Sequence, residues 1–201
     1  IPFRNNIKKR LEELWNYPKY SSPFKEGEYY YFFKNGGLQN QSVAYRQMGL
    51  DGSPEVFLDP NKLSDDGTAA LAGISFSKTS KYLVYSVSQS GSDWQTGYIM
   101  DVKNKEKTGE QLNWLKFTGF SWKGDDGFYY SRYPEPKEGD ELKGKNESSK
   151  VYYHQLGTTQ TEDVLIYEDK EHPLRFVGVG LTEDERFLIV STSEGTSGSE
   201  I

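Results

Sequence analysis

Four times along the chain an apolar residue is followed by a polar turn and then by an aromatic or aliphatic strand that begins six positions on. The pairs are Phe24 with Tyr30, Phe76 with Tyr82, Trp122 with Phe128, and Leu181 with Phe187. The first members lie 52, 46 and 59 residues apart, close to the ~40–50 residues of one four-stranded propeller blade. The fillers Lys25–Glu28, Ser77–Lys81, Lys123–Gly127 and Thr182–Arg186 are all polar. The longest interval contains Tyr133–Ser149, rich in Pro, Glu, Lys and Gly, which reads as an inserted surface loop. A unit of this kind buries one face on its neighbour, so single units are not stable alone.

The strand candidates are Tyr29–Phe33, Ser42–Gln47, Glu55–Leu58, Tyr82–Val87, Thr96–Val102, Gly127–Arg132, Lys150–Leu156, Asp163–Glu168 and Arg186–Thr192. Asn35-Gly36-Gly37, Asp51-Gly52, Asp66-Gly67 and Asp125-Asp126-Gly127 punctuate them with residues that tolerate positive φ. Aromatics reach 15%, with 15 Tyr, 11 Phe and 4 Trp, while hydrophobic residues total only 34%. That mixture suits stacked β-sheets, and a sandwich, a barrel or a propeller all fit it. Residues 1–17 differ: Ile7, Leu11, Leu14 and Trp15 form one apolar stripe at helical period, and Pro18 ends the helix. The expected fold is all-β, with one N-terminal α-helix preceding about three blades of four-stranded antiparallel sheets. Four unit starts allow three complete blades at most, and a propeller needs about four to eight to close. The chain therefore reads as a fragment, or as one member of an assembly, with apolar faces left open for self-association.

Several strings carry a specific resemblance. They are Tyr17-Pro18-Lys19-Tyr20-Ser21; Gly37-Leu38-Gln39-Asn40-Gln41; Val56-Phe57-Leu58-Asp59-Pro60-Asn61 with Leu63-Ser64-Asp65-Asp66-Gly67-Thr68; Ser90-Gly91-Ser92-Asp93-Trp94; and Val151-Tyr152-Tyr153-His154 before Leu156-Gly157-Thr158. In order and spacing, from about residue 7 to 195, they resemble the N-terminal propeller of the prolyl oligopeptidase family of serine peptidases. The resemblance implies a seven-bladed propeller capping an α/β-hydrolase domain, in an enzyme that cleaves short peptides after proline. The propeller would gate and line access to a Ser-Asp-His triad. It further implies that residues 1–18 belong to the hydrolase domain and that 19–201 are blades 1–3 and the start of the next. By position it assigns Phe117 and Phe176 to the substrate pocket, and Asp93 and Trp94 to a loop near the domain interface. Mammalian-type members carry a basic residue and a cysteine near Glu194-Gly195, where this chain has Ser193 and Thr196.

No Gly-x-Ser-x-Gly string is present, and Gly195-Thr196-Ser197-Gly198-Ser199 fails at its last position. The two histidines have no nucleophile placed beside them. His154 lies within a strand and His172 before Pro173 in a turn, so both read as structural or solvated. No catalytic residue is expected in this chain; the family's triad would lie beyond Ile201. The acidic pairs Asp65-Asp66, Asp125-Asp126 and Glu183-Asp184 read as turn caps rather than a metal site, because Ca²⁺ needs six or more converging oxygens. Asn146-Glu147-Ser148 spells a glycosylation sequon only. Neither metal nor cofactor is expected.

Net charge is −6, with 30 acidic and 24 basic residues and no basic block, which argues against nucleic acid as a partner. No apolar run approaches 18 residues, so no membrane span is expected. The chain has no cysteine and hence no disulfide framework. It opens at Ile1 without a Met, so an upstream segment is expected, and a soluble protein of either cytoplasm or periplasm is compatible. Two other readings stay open. One is the related oligopeptidase B type, specific for Lys or Arg, against which the Gly37–Gln41 and Ser90–Trp94 strings weigh. The other is a non-catalytic propeller binding peptides or glycans, for which the first helix has no use.

Overall fold

The computed structural model describes residues 2–141, 143–195 and 198–201. The chain divides into two compact units, Ile1–Ala70 and Leu71–Ile201.

In the first unit, helix α1 (Arg4–Trp15) ends at Asn16, two residues before Pro18. Its apolar stripe lies open among the described residues: Ile7, Leu11, Leu14 and Trp15 are 54–63% exposed. Strands β1 (Lys19–Tyr20), β2 (Phe24–Glu26), β3 (Tyr29–Asn35), β4 (Val43–Met48) and β5 (Glu55–Leu58) build one antiparallel sheet. Both β1 and β2 pair with β3, so this edge strand is interrupted at 21–23. Pro23, which has no N–H for a ladder, sits in the gap. Lys19 ties the helix end to the sheet. Its ammonium donates to the carbonyls of Trp15 and Gly37, each at 3.0 Å, and lies 5.0 and 4.9 Å from the ring centres of Trp15 and Tyr17. Gly37 has φ 147° and abuts the Asn16 side chain where a Cβ would stand, so only glycine fits.

The second unit holds two four-stranded antiparallel meanders and a hairpin. The first meander is β6 (Ala70–Phe76), β7 (Tyr82–Ser88), β8 (Gln95–Asp101) and β9 (Glu106–Leu115). The next is β10 (Phe120–Lys123), β11 (Gly127–Arg132), β12 (Lys150–Gln155) and β13 (Val164–Glu168). The hairpin is β14 (Phe176–Leu181) with β15 (Leu188–Ser193). The two meanders pack face on face around Val84, Ile99, Leu112, Leu115, Phe128 and Tyr130, all fully buried. Burying each aromatic of this set contributes roughly 1.5–3 kcal/mol. Polar groups stitch the layers. Trp122 Nε1 donates to the Ser75 carbonyl at 3.0 Å, and the Leu181 amide to Ser121 Oγ at 2.8 Å.

The recurring unit is real, with one refinement of register. Trp122 stands directly opposite Phe128, but Phe24 faces Tyr31 and Leu181 faces Leu188. Phe187 precedes its strand and is 60% exposed. The strand candidates read from the sequence do not include β1, β2, β6, β9, β10 or β14. β1, β2 and β10 are very short, Ala70–Phe76 and Phe176–Leu181 are rich in Ala and Gly, and Glu106–Gly109 at the start of β9 are all exposed, so none alternates strongly.

The acidic turns divide. Asp66 and Asp184 cap their own turns, accepting from the Thr68 amide at 3.0 Å and from Thr182 Oγ1 at 2.6 Å respectively. Asp125 does otherwise, and corrects the expectation of a self-cap. It accepts from the Thr79 amide at 3.1 Å and from Thr79 Oγ1 at 2.5 Å, 46 residues back in the preceding sheet's turn. Glu185 repeats the pattern one unit later by accepting from the Gly124 amide at 3.2 Å, so the turns link from one unit to the next.

Candidate functional site

The strand pairs from β7–β8 to β14–β15 are antiparallel, so the ends of β7, β9, β11 and β13 and the starts of β8, β10, β12 and β14 gather at one edge of the sheets. That edge collects Asp93, Trp94, Lys116, Phe117, the insert 133–149 and Phe176.

Phe117 and Phe176, 59 residues apart in sequence, meet there edge to face, with centroids 5.6 Å apart at 80°. Both stay open to solvent, at 56% and 39% exposure. An accessible aromatic pair is a ready contact for another apolar or aromatic group. Phe117 is held there under strain: its φ is 53°, and that of Trp114 is 61°. Bulky residues in the left-handed region cost about 1–3 kcal/mol each, and they persist only where surrounding structure over-determines them.

The surroundings supply that constraint. Lys116 is buried, with its ammonium 3.9 Å from the Trp94 ring centre and donating to Asn146 Oδ1 at 2.9 Å. Burial pushes the pKa of this lysine below the usual range, while the nearby Asp93 charge pulls the other way. Trp94 is edge-on to both Trp114 and Tyr133, at 5.6 and 6.2 Å. Its indole N–H donates to the Glu141 carbonyl at 2.6 Å. Trp94 is therefore half-buried packing, whereas Asp93 is exposed. The described residues of the insert form no strand, as its composition predicts, yet Glu141, Asn146 and Ser148 fasten it, the last through its amide to the Pro173 carbonyl at 2.7 Å. Sequence reading missed Lys116 altogether; its place in Trp114-Leu115-Lys116-Phe117, a cation amid large apolar residues, was the available signal.

His154 has a carboxylate behind it, as a general base would. Nδ1 lies 2.6 Å from Asp163 Oδ1, and Tyr130 donates to the other oxygen of Asp163. The ring is fully buried, and Nε2 faces Glu110 at 3.5 Å rather than a hydroxyl. Burial first, then the bond to Asp163, hold the Tyr130 phenol far above its ordinary pKa. Glu110 also accepts from the Gly157 amide at 2.5 Å, joining β9 to the turn after β12. With its ring fully buried and no hydroxyl at Nε2, His154 is held as a packed core group. His172 is exposed and lies 3.1 Å from Asp169 in a surface turn. Among the described residues no three His, Cys, Asp or Glu side chains converge as metal ligands, and no helix is long and apolar enough to cross a membrane. Thr196 and Ser197 lie outside the described residues.

The sequence profile of the family described as "Prolyl oligopeptidase, N-terminal beta-propeller domain" matches residues 1–201. A prolyl endopeptidase from Elizabethkingia meningoseptica is 49% identical over 201 residues, covering 100% of this chain and 28% of the relative. The chain thus spans little more than a quarter of that relative's length. A solved structure of prolyl oligopeptidase B from Galerina marginata, bound to a 35mer hydrolysis and macrocyclization substrate, superposes with a TM-score of 0.86 at 31% identity, covering 96% of this chain and 29% of its own. Oligopeptidase B from Leishmania major gives a TM-score of 0.76 over 95% of this chain and 26% of its own, at 17% identity, a likeness of fold alone.

Proposed function

The chain belongs to the prolyl oligopeptidase N-terminal β-propeller family, and from that premise we propose that it is the access-controlling part of a proline-specific serine oligopeptidase. Its fold is an incomplete propeller. The parent hydrolyses short peptides after proline. The propeller gates entry to a hydrolase domain of the same polypeptide and lends Phe117 and Phe176 to the pocket wall, with the Asp93-Trp94 loop beside the domain interface. The observation that carries this reading is the meeting of Phe117 and Phe176 as an exposed pair on the edge where the loops gather. The uncovered stripe of α1 supports assigning residues 1–18 to the hydrolase domain, leaving 19–201 as propeller. Identity of 49% to a prolyl endopeptidase over the whole of this chain favours proline specificity.

The test is turnover of a Gly-Pro fluorogenic peptide. The full-length parent cleaves it and a serine-directed phosphonate abolishes cleavage, whereas the 201-residue chain alone is inactive. Phosphonate-sensitive turnover by the chain alone, or a parent that prefers Lys-Arg peptides, overturns the proposal. In isolation the chain self-associates through its open faces. A cavity of about 720 Å³ beside β15, lined by Tyr167, Phe187, Leu188, Val190 and Ile201, is one such face. A monodisperse monomer by light scattering at high concentration would count against that.

A further inference from the structure

We infer that Lys116 is a positioning residue for substrate recognition: its ammonium, clamped between the Trp94 ring and the Asn146 side chain, holds Phe117 in place against Phe176. This rests on the reading of Phe117 and Phe176 as pocket wall.

Adjacent residues here point opposite ways, with Lys116 buried and Phe117 exposed. Whatever fixes the first therefore fixes the second. The segment leaves β9 through Trp114 and turns again at Phe117, both in the left-handed region that bulky side chains avoid. Released, the backbone would relax toward ordinary φ and swing the Phe117 ring off its partner. Two directional contacts oppose this: the ammonium over Trp94 at 3.9 Å and the hydrogen bond to Asn146 at 2.9 Å. Each admits a narrow range of side-chain geometry. Trp94 is in turn braced by Trp114, Tyr133 and the Glu141 carbonyl, so the clamp does not drift. An apolar residue of similar length would fill the same space without desolvating a charge, but it would supply neither direction. Asn146 lies in the insert, so the lysine also ties that segment to the aromatic pair.

The experiment compares full-length parent enzymes on two Gly-Pro fluorogenic peptides, one with an aromatic N-terminal blocking group and one acetylated. Phe117→Ala raises KM for the aromatic peptide about three- to tenfold, the size of one lost aromatic contact. Lys116→Met raises it by a similar factor with kcat unchanged, and the acetyl peptide responds little. The double variant is no worse than Phe117→Ala alone, because both changes remove one contact. Lys116→Arg, which keeps a cation near Trp94 and a donor near Asn146, recovers most of the loss. If Lys116→Met folds poorly, Asn146→Ala removes one half of the clamp from a surface segment and shows the same KM effect in weaker form. An effect of Phe117→Ala with none from Lys116→Met and Asn146→Ala sinks the positioning role and leaves the pocket reading intact. Additive effects in the double variant also sink it. A Phe117→Ala enzyme with unchanged KM removes the pocket reading and the positioning role together.

Discussion

The sheet β10–β13 and the hairpin β14–β15 start from the same sequence device, an apolar residue, a polar turn and an apolar strand, and reach opposite fates. Trp122 and Phe128 stand across from each other, their rings 4.9 Å apart, and Phe128 is fully buried against the sheet β6–β9. In the hairpin, Phe187 stays 60% and Ile189 44% exposed. The local pattern specifies a hairpin in both places. A covered face converts it into core; among the described residues of the second unit the hairpin lies against β10, β11 and β12 through β14, and Phe187 and Ile189 stay open. Burial here belongs to the stack rather than to the unit.

The widest gap between the two regions is expected from matched truncations. Phe128→Ala lowers the unfolding free energy of the chain by about 3–5 kcal/mol in chemical denaturation, while Phe187→Ala changes it by less than about 0.5 kcal/mol. Equal effects would mean that the hairpin is covered in solution. Next is the polar core of the sheet. Asp163→Ala strips acceptors from both Tyr130 and His154, and leaving those buried groups unpaired costs about 3 kcal/mol. The Arg175–Glu200 pair of the hairpin region, at 3.0 Å with Glu200 mostly exposed, contributes under about 1 kcal/mol when broken.

The inter-turn link predicts a smaller loss with a pH signature. Asp125→Ala costs about 1 kcal/mol through the lost bonds to Thr79, more than Asp184→Ala, whose bonds stay within one turn. Burial pushes the Asp125 pKa up, but hydrogen bonds from Thr79 and Ser77 outweigh it, so the native pKa lies below the ordinary carboxylate value. Its stabilisation is thus complete above about pH 4 and is lost as pH falls through the native pKa. Asp125→Asn should flatten denaturation midpoints measured between pH 6 and 2. The finest probe is alkaline absorbance. Tyr85, in the sheet β6–β9, is pushed up to about 12 by burial. Raised native pKa values give stability that is full below pH 10 and lost as pH rises through them. Tyr130 and Tyr85 should therefore titrate only as the chain unfolds, and normal phenol titration in the folded chain would contradict the packing of both sheets.

Much of the architecture was legible because its determinants are local. The stripe at Ile7, Leu11, Leu14 and Trp15 and the block at Pro18 specify α1, and Glu55–Leu58 and Gly127–Arg132 carry strand signals strong enough to place both ends. The strands β6, β9 and β14 were not legible, since Ala, Gly and polar residues there pair by virtue of a partner strand already present. Asp125 looked like its neighbours in sequence and differs because another turn comes to it.

At the candidate site the division is the same. Phe117 and Phe176 were marked by motif position, but their contact across 59 residues, and its exposure, exist only once β9, β10 and β14 are stacked. Lys116 gave no periodic signal, because a cation among apolar residues reveals its purpose only beside Trp94 and Asn146. Hydrogen bonds along neighbouring residues and the φ limits of Pro and Gly act within a few positions, so the amino-acid order alone determined the helix, most strands and the turns. Burial, edge-to-face rings and the charge over Trp94 need groups that are distant in sequence to arrive together, and those the tertiary structure decided.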